Sequence, residues 1–135
     1  MYTTVTAGSQ GLYTEGQESI NNLEFNINNT DITCGGRLAN LSAYRQWNLR
    51  INVKDSNVKA GNDYSIYCSN QYSDNQRRCS VVIDGGTYEA SNSFAYLSDS
   101  AITLQNGAKV TAKGTYGINM TRYTSSVSRT ITIKD

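Results

Sequence analysis

Short strands with alternating apolar and polar residues return at intervals along the chain. Every second position is apolar in the segments LEFNI (23–27), LRINV (49–53), CSVVI (79–83), SAITL (100–104) and RTITI (129–133). This period of two residues predicts strands with one buried face. Clusters of Gly, Asn, Asp and Ser separate the strands, and such clusters are typical of turns. No segment has the apolar spacing of a helix, so we predict an all-β protein.

A second motif follows these strands and shows that the chain is a repeat. The segments VTAGSQGLY, ITCGGRLAN, VKAGNDYSI, YEASNSFAY and VTAKGTYGI begin at Val5, Ile32, Val58, Tyr88 and Val110. These starting points are 27, 26, 30 and 22 residues apart. Repeats of about 20 to 50 residues indicate solenoids or propellers, and a propeller blade needs about 40 residues. We therefore predict a single-stranded, right-handed parallel β-helix (a β-solenoid) with about five rungs of three short strands each.

Equivalent residues of successive rungs should stack in columns, because neighbouring strands lie about 4.8 Å apart. The shared offsets predict one inward column of small residues, which consists of Cys34, Ala60, Ala90 and Ala112. They also predict a second inward column that is mostly aromatic and consists of Leu38, Tyr64, Phe94 and Tyr116.

The third strand of each rung then has an unusual outward face. The residues predicted to point outward are small or apolar, where a solvated strand usually carries charges: Ala39, Leu41, Ser65, Tyr67, Ala95, Leu97, Gly117 and Asn119. Such a strip indicates a covered surface. The cover is either the protein's own loop around Tyr44 and Trp47, or a docked partner or glycan, and the sequence leaves both interpretations open.

The segments that carry the repeat also suggest a structural family. RINVKDSNVKA (50–60), VVIDGGTYEA (81–90) and ITLQNGAKVTA (102–112) resemble coils of the right-handed parallel β-helix proteins of the pectate-lyase-like group and of bacterial surface solenoids. The resemblance covers nearly the whole chain, and it implies one β-solenoid domain over residues 1–135. We expect this domain to be a segment of a longer solenoid or a subunit that a partner caps. Proteins of this architecture include polysaccharide lyases and hydrolases, carbohydrate-binding modules, adhesins and phage fibres.

Composition excludes several kinds of chemistry. The 12 basic and 11 acidic residues leave a net charge of +1, which gives no electrostatic reason to expect nucleic acid as a partner. No apolar run approaches the roughly 20 residues that insert into a membrane. The start, MYTTVTAGSQ, lacks the features of a signal peptide. The chain has no His, so nucleophiles that depend on a His base are excluded.

Cysteines and carboxylates are the remaining candidates for site chemistry. Cys68 and Cys79 flank the longest insertion and form either a disulfide, as expected in an oxidising compartment, or two inward thiols. Asp55 and Asp84 follow equivalent strands and are weak candidates for a calcium site, with Arg77 in the loop between them. The resemblance to lyases implies such an acidic cluster with a basic residue, but Ca²⁺ usually takes about six to eight oxygen ligands. We therefore expect no catalytic residues and no resident cofactor in this chain.

These observations predict a non-catalytic module for adhesion or glycan binding on a bacterial or phage surface. The expected location is extracellular, on a cell surface or a virion, and the expected partner is a polysaccharide, another glycan or another solenoid subunit. The residues expected to contact it are Leu41, Trp47, Ser65, Tyr67, Tyr72, Ala95 and Leu97. Two alternatives are the scaffold of a polysaccharide lyase and a structural segment of a virion or cell-surface fibre.

Overall fold

The strands form three parallel sheets that wind around one axis. The computed structural model describes residues 3–15, 19–69, 76–123 and 126–135. The first sheet contains β1 (Thr3–Ala7), β5 (Thr30–Cys34), β9 (Asn57–Ala60), β12 (Thr87–Ala90) and β15 (Lys109–Ala112). The second sheet contains β2 (Leu12–Thr14), β6 (Ala39–Leu41), β10 (Tyr64–Cys68), β13 (Ser93–Ser98) and β16 (Ile118–Thr121). The third contains β4 (Glu24–Asn28), β8 (Leu49–Lys54), β11 (Cys79–Asp84), β14 (Ala101–Gln105) and β17 (Thr130–Ile133).

Each strand pairs with its counterpart one coil away, which is the topology of a β-solenoid. A short two-stranded ridge, β3 (Ser19–Asn21) with β7 (Arg45–Trp47), lies between the second and third sheets. The predicted parallel β-helix is confirmed, with about four turns, slightly fewer than the five rungs expected. The described residues contain no helix that is long and apolar enough to cross a membrane.

The predicted column of small residues lies inside the first sheet. Ala90 pairs in register with Ala60 on one side and with Ala112 on the other. Cys34, Ala60 and Ala90 are buried and Ala112 is half-buried, so the column is confirmed. Small side chains at this level leave room for the larger residues two positions earlier in each strand, such as Val58 and Tyr88, which are also buried.

Asn, Asp and Gly form the corner between the third and first sheets. Asn29, Asp55, Gly85 and Asn106 occupy this corner in successive coils, and each has a positive φ, between 46° and 68°. These are the residue types that adopt left-handed backbone at low cost. The residue type at this position therefore favours the turn in every coil, and the turn leads the chain from the third sheet to the first sheet of the next coil.

Burial is complete in the middle coils and decreases toward both ends. In the middle coils, Ile51, Ile83 and Ile102 of the third sheet are at most 1% exposed. In contrast, Val5 in the first coil is 42% exposed and Ile133 in the last coil is 76% exposed.

Candidate functional site

The second sheet points its side chains in the opposite sense from the prediction. Leu41, Ala95 and Leu97, expected on the outward face, are all 0% exposed in the core, and so is Ser65. Ser65 donates a hydrogen bond from its hydroxyl to the carbonyl of Phe94 over 2.7 Å. The prediction that these residues form an outward strip is therefore wrong, and they cannot contact a partner in the folded protein.

The error has a physical cause at the corner between the first and second sheets. Two consecutive residues point inward there, Phe94 and Ala95 in one coil and Leu38 and Ala39 in another, so the alternation changes phase. The corner that follows Val58 is also one residue longer, because Ile66 pairs with Ala95 and Ala39.

The predicted aromatic column is split by the same corner. Leu38 and Phe94 are buried as expected. Tyr64 is half-buried and Tyr116 is 53% exposed, so these two tyrosines do not belong to the core.

The true outward column of the second sheet is rich in tyrosine. Register places five residues in one line across the coils: Tyr13, Asn40, Tyr67, Tyr96 and Asn119. Tyr67 was correctly expected to point outward, and it is half-buried among its neighbours. We call this column, together with Arg37 and Tyr64 beside it, the tyrosine face.

Two rings of the tyrosine face stack on each other. The ring centroids of Tyr67 and Tyr96 are 5.2 Å apart and their planes differ by 17°. Tyr64 packs against Tyr96 at the same centroid distance with a tilt of 60°. Aromatic pairs of this kind contribute about 0.5–1.5 kcal/mol each beyond the area they bury. The three rings therefore form one packed cluster, and each of them is half-buried.

Arg37 covers the other side of the stack. Its guanidinium carbon lies 4.4 Å from the centroid of the Tyr67 ring. Arg37 also donates hydrogen bonds to the side-chain oxygen of Asn40, over 3.1 Å, and to the carboxylate of Asp63, over 2.8 Å. The hydrogen bond from Arg37 holds the pKa of Asp63 below its usual value. The cation is thus fixed over the ring by a neighbouring coil.

Amide side chains complete the polar part of the face. Asn119 donates a hydrogen bond to the hydroxyl of Tyr64 over 3.4 Å, and Asn40 accepts one from Arg37. The face therefore combines aromatic rings, phenol hydroxyls and amides, and the nearby carboxylate of Asp63 is paired to the guanidinium of Arg37. Such groups can bind a polar ligand through hydrogen bonds and C–H contacts, and they do not form an acid–base pair for catalysis.

The other aromatic residues of the predicted site lie elsewhere. Trp47 is half-buried in β7, where it pairs in register with Asn21, and the loop around Tyr44 forms the ridge between the second and third sheets. Tyr72 lies outside the described residues.

The structure does not bring the candidate metal and lyase residues into one site. Asp84 accepts hydrogen bonds from Asn106, over 2.6 Å, and from Gln105, over 3.0 Å, and these bonds lower its pKa. Asp55 lies at the adjacent corner position, where its backbone N–H donates to the carbonyl of Asp84. Arg77 precedes β11 whereas Asp84 ends it, so the two are roughly 20 Å apart along an extended strand. Within the described ranges, no group of three or more His, Cys, Asp or Glu residues could hold a metal ion.

Both cysteines of the predicted disulfide point into the core. Cys68 and Cys79 are each 0% exposed, and the structure has them as free thiols. A hydrogen bond with Cys68 and burial together raise the pKa of the Cys79 thiol well above its usual value. The interpretation as inward thiols therefore describes this structure. Cys34 is likewise buried, as expected for a member of the small-residue column.

Three buried polar residues were missed by reasoning from sequence. Gln46 is 0% exposed, accepts a hydrogen bond from the Thr14 hydroxyl over 3.0 Å, and donates to the carbonyl of Leu41. Arg78 and Asp99 are also 0% exposed. All three residues lie outside the strands of the three main sheets, where no periodic pattern in the sequence indicates burial.

Comparisons with protein-family models, with curated proteins and with solved structures give no match for this chain.

Proposed function

We propose that this protein is a non-catalytic β-solenoid module that binds glycans through the tyrosine face and serves adhesion at a bacterial or phage surface. The observation that carries the proposal is the fixed stack of Tyr67 and Tyr96 under the guanidinium of Arg37. In the same column, Asn40 and Asn119 add amide groups at either side of the stack. An extracellular location on a cell or virion surface is part of the proposal.

Preorganisation favours binding at this face. Immobilising a flexible side chain on binding costs about 0.5–1.5 kcal/mol, and the stacked rings and the paired Arg37 are already held in place. A ligand therefore meets donors and acceptors that need little further ordering.

The shape of the face favours an extended ligand. Tyr13 and Asn119 are separated by four strand spacings, or roughly 19 Å. The column is a strip along the solenoid axis and not an enclosed pocket of the kind that holds small metabolites. A tri- to tetrasaccharide within a polysaccharide fits such a strip, because its hydroxyl groups repeat along its length as the side chains do.

The test is binding to an immobilised library of neutral and acidic oligosaccharides. The variants Tyr67→Asn and Tyr96→Asn break the stack but place a residue that the same column already carries at Asn40 and Asn119. We expect each variant to bind about fivefold more weakly, since the loss of one stacked pair is worth about 1 kcal/mol. Tyr67→Asn also removes the ring that lies under the guanidinium of Arg37.

Tyr44→Asn is the matched control, because Tyr44 is 45% exposed and lies beyond the second sheet, just before the ridge strand β7. It should bind like the native protein. The proposal fails if the native protein binds no glycan in the library, or if Tyr44→Asn weakens binding as much as Tyr96→Asn does.

Incubation with acidic polysaccharides, with and without calcium, tests the alternative lyase function. We expect no unsaturated product, because Arg77 and Asp84 lie at opposite ends of β11. Product formation that is lost in Asp84→Ala or Arg77→Ala would establish the lyase instead.

A further inference from the structure

The two ends of the solenoid expose complementary edges. In the part of the chain that the structure describes, β1, β2 and β4 are the edge strands at the first end, and β15, β16 and β17 are the edge strands at the last end. Edge strands of parallel sheets leave backbone N–H and C=O groups open to pairing with a further strand. Both ends therefore offer three open edges, one from each sheet.

The first end contains an apolar cavity. Its volume is about 270 Å³, and its walls include Val5, Leu12 and Ile27 of the first coil. Ile32 and Leu38 of the second coil line it from within. The cavity is open to the outside of the first coil and is lined by residues of the first two coils.

The last end carries protruding apolar side chains. Ile131 is 52% exposed and Ile133 is 76% exposed, although both belong to inward columns of the third sheet. Ile133 continues the column of Ile27, Val53, Ile83 and Leu104. The column thus ends in the cavity at one end of the molecule and in an exposed isoleucine at the other.

We propose that a second copy of this chain docks head-to-tail, with its first coil on the last coil of its neighbour. Continuing the observed register places apolar residues on apolar residues in five columns: Val110 on Val5, Ala112 on Ala7, Ile118 on Leu12, Ile131 on Phe25 and Ile133 on Ile27. Ile133 then faces the wall of the cavity. This association goes beyond glycan binding and uses a different surface.

The outward columns are compatible with the same register. The junction brings together residues that include no pair of like charge: Lys109 with Thr4, Asn119 with Tyr13, and Thr130 with Glu24. Docking of two identical ends is disfavoured, because it would oppose the second sheet of one copy to the third sheet of the other and would lose the matched columns. A head-to-tail contact does not close on itself, so it generates linear oligomers.

Sedimentation velocity of the full chain over micromolar to millimolar concentrations tests this association. We expect the native protein to form oligomers whose size grows with concentration and has no fixed limit. A native protein that stays monomeric over the whole range would overturn the proposal without any variant.

Two variants separate head-to-tail docking from other contacts. Val5→Asp damages only the first end and Ile133→Asp only the last end, and both positions are exposed enough for the fold to persist. Each variant alone should be monomeric, because every junction needs one intact first end and one intact last end. An equimolar mixture should form a dimer and nothing larger, since it contains one intact end of each kind.

Val82→Asp is the matched control, because Val82 points outward from the third sheet and is half-buried. It should assemble like the native protein. A dimer of either end variant alone, or a mixture that stays monomeric while circular dichroism shows folded protein, would refute the head-to-tail contact.

Discussion

The identical substitution at Leu97 and at Tyr96 should have very different effects on stability. Leu97 is 0% exposed and occupies the inward column between Cys68 and Met120. Its neighbour Tyr96 points outward in the column that already contains Asn40 and Asn119. Asparagine is therefore a natural residue of one column and foreign to the other.

The magnitudes follow from burial. Leu97→Asn loses about 1.5–3 kcal/mol of buried apolar side chain. It also leaves a buried amide without its full set of partners, at about 1–3 kcal/mol. The expected loss is about 4 kcal/mol, a large part of the 5–15 kcal/mol typical of a domain. Tyr96→Asn loses only its ring contacts with Tyr67 and Tyr64, which are worth about 1–2 kcal/mol.

Thermal unfolding measured by circular dichroism distinguishes the two variants. For a domain near this size, 1 kcal/mol shifts Tm by about 2–4 °C. We expect Tm to fall by roughly 10–15 °C in Leu97→Asn and by roughly 5 °C or less in Tyr96→Asn. A larger loss in Tyr96→Asn than in Leu97→Asn would show that the strand presents its faces the other way, as the sequence alone suggested.

Two further predictions concern single polar groups. Tyr88→Phe should leave Tm unchanged or raise it, because the buried hydroxyl of Tyr88 makes no full hydrogen bond and the edge contact of its ring with Phe94 would remain. If denaturant unfolding shows that the variant loses more than about 1.5 kcal/mol of stability, the hydroxyl is bonded. The lowered pKa of Asp63 predicts that its contribution to stability is present above about pH 4, the usual Asp range, and is lost as pH falls through the folded-state pKa. Asp63→Asn should therefore be less stable than the native protein only above that range. The difference in stability should be a few tenths of a kcal/mol, because the side chain of Asp63 is 59% exposed. An equal difference in stability at pH 2 in acid titrations would contradict this assignment.

The solenoid itself could be predicted because its signal is repeated. One strand of alternating residues is ambiguous, but Val58, Tyr88 and Val110 each precede a small residue two positions later and follow a Gly- or Asn-containing corner. A parallel coil is the arrangement in which all of these copies bury the same positions. The confirmed column of Ala60, Ala90 and Ala112 rests on this repetition.

The orientation of the second sheet could not be predicted in the same way. Its phase depends on how many residues the preceding corner uses, and that number differs between the coils that contain Ile66 and Ala95. Alanine and serine fit either side of a strand, so Ala95 and Ser65 gave no indication of which side was buried. The tyrosines give a better indication, because Tyr67 and Tyr96 are each the fourth residue of their strands.

The pair of Arg37 and Asp63 was also beyond the sequence pattern. The two residues lie 26 residues apart, in equivalent corners of adjacent coils, and neither belongs to a strand. A signal existed in the opposite charges at matching corners, GGR in one coil and GND in the next. These charges predict the ion pair only when Tyr67 is known to point outward, because the guanidinium of Arg37 contacts the carboxylate of Asp63 and the ring of Tyr67 together.

The two proposals meet in the geometry of the tyrosine face. Head-to-tail docking would place Asn119 of one copy beside Tyr13 of the next, so the face would continue across the junction as an unbroken column. A short oligosaccharide occupies one copy, whereas a long polysaccharide would contact several linked copies and would bind with a higher avidity. Ile133→Asp should therefore leave the binding of a trisaccharide unchanged and weaken the binding of a long polysaccharide, while Tyr96→Asn should weaken both. Assembly and glycan recognition can thus succeed or fail separately, because Ile133 lies in the last coil and Tyr96 points outward from the second sheet of the coil before it.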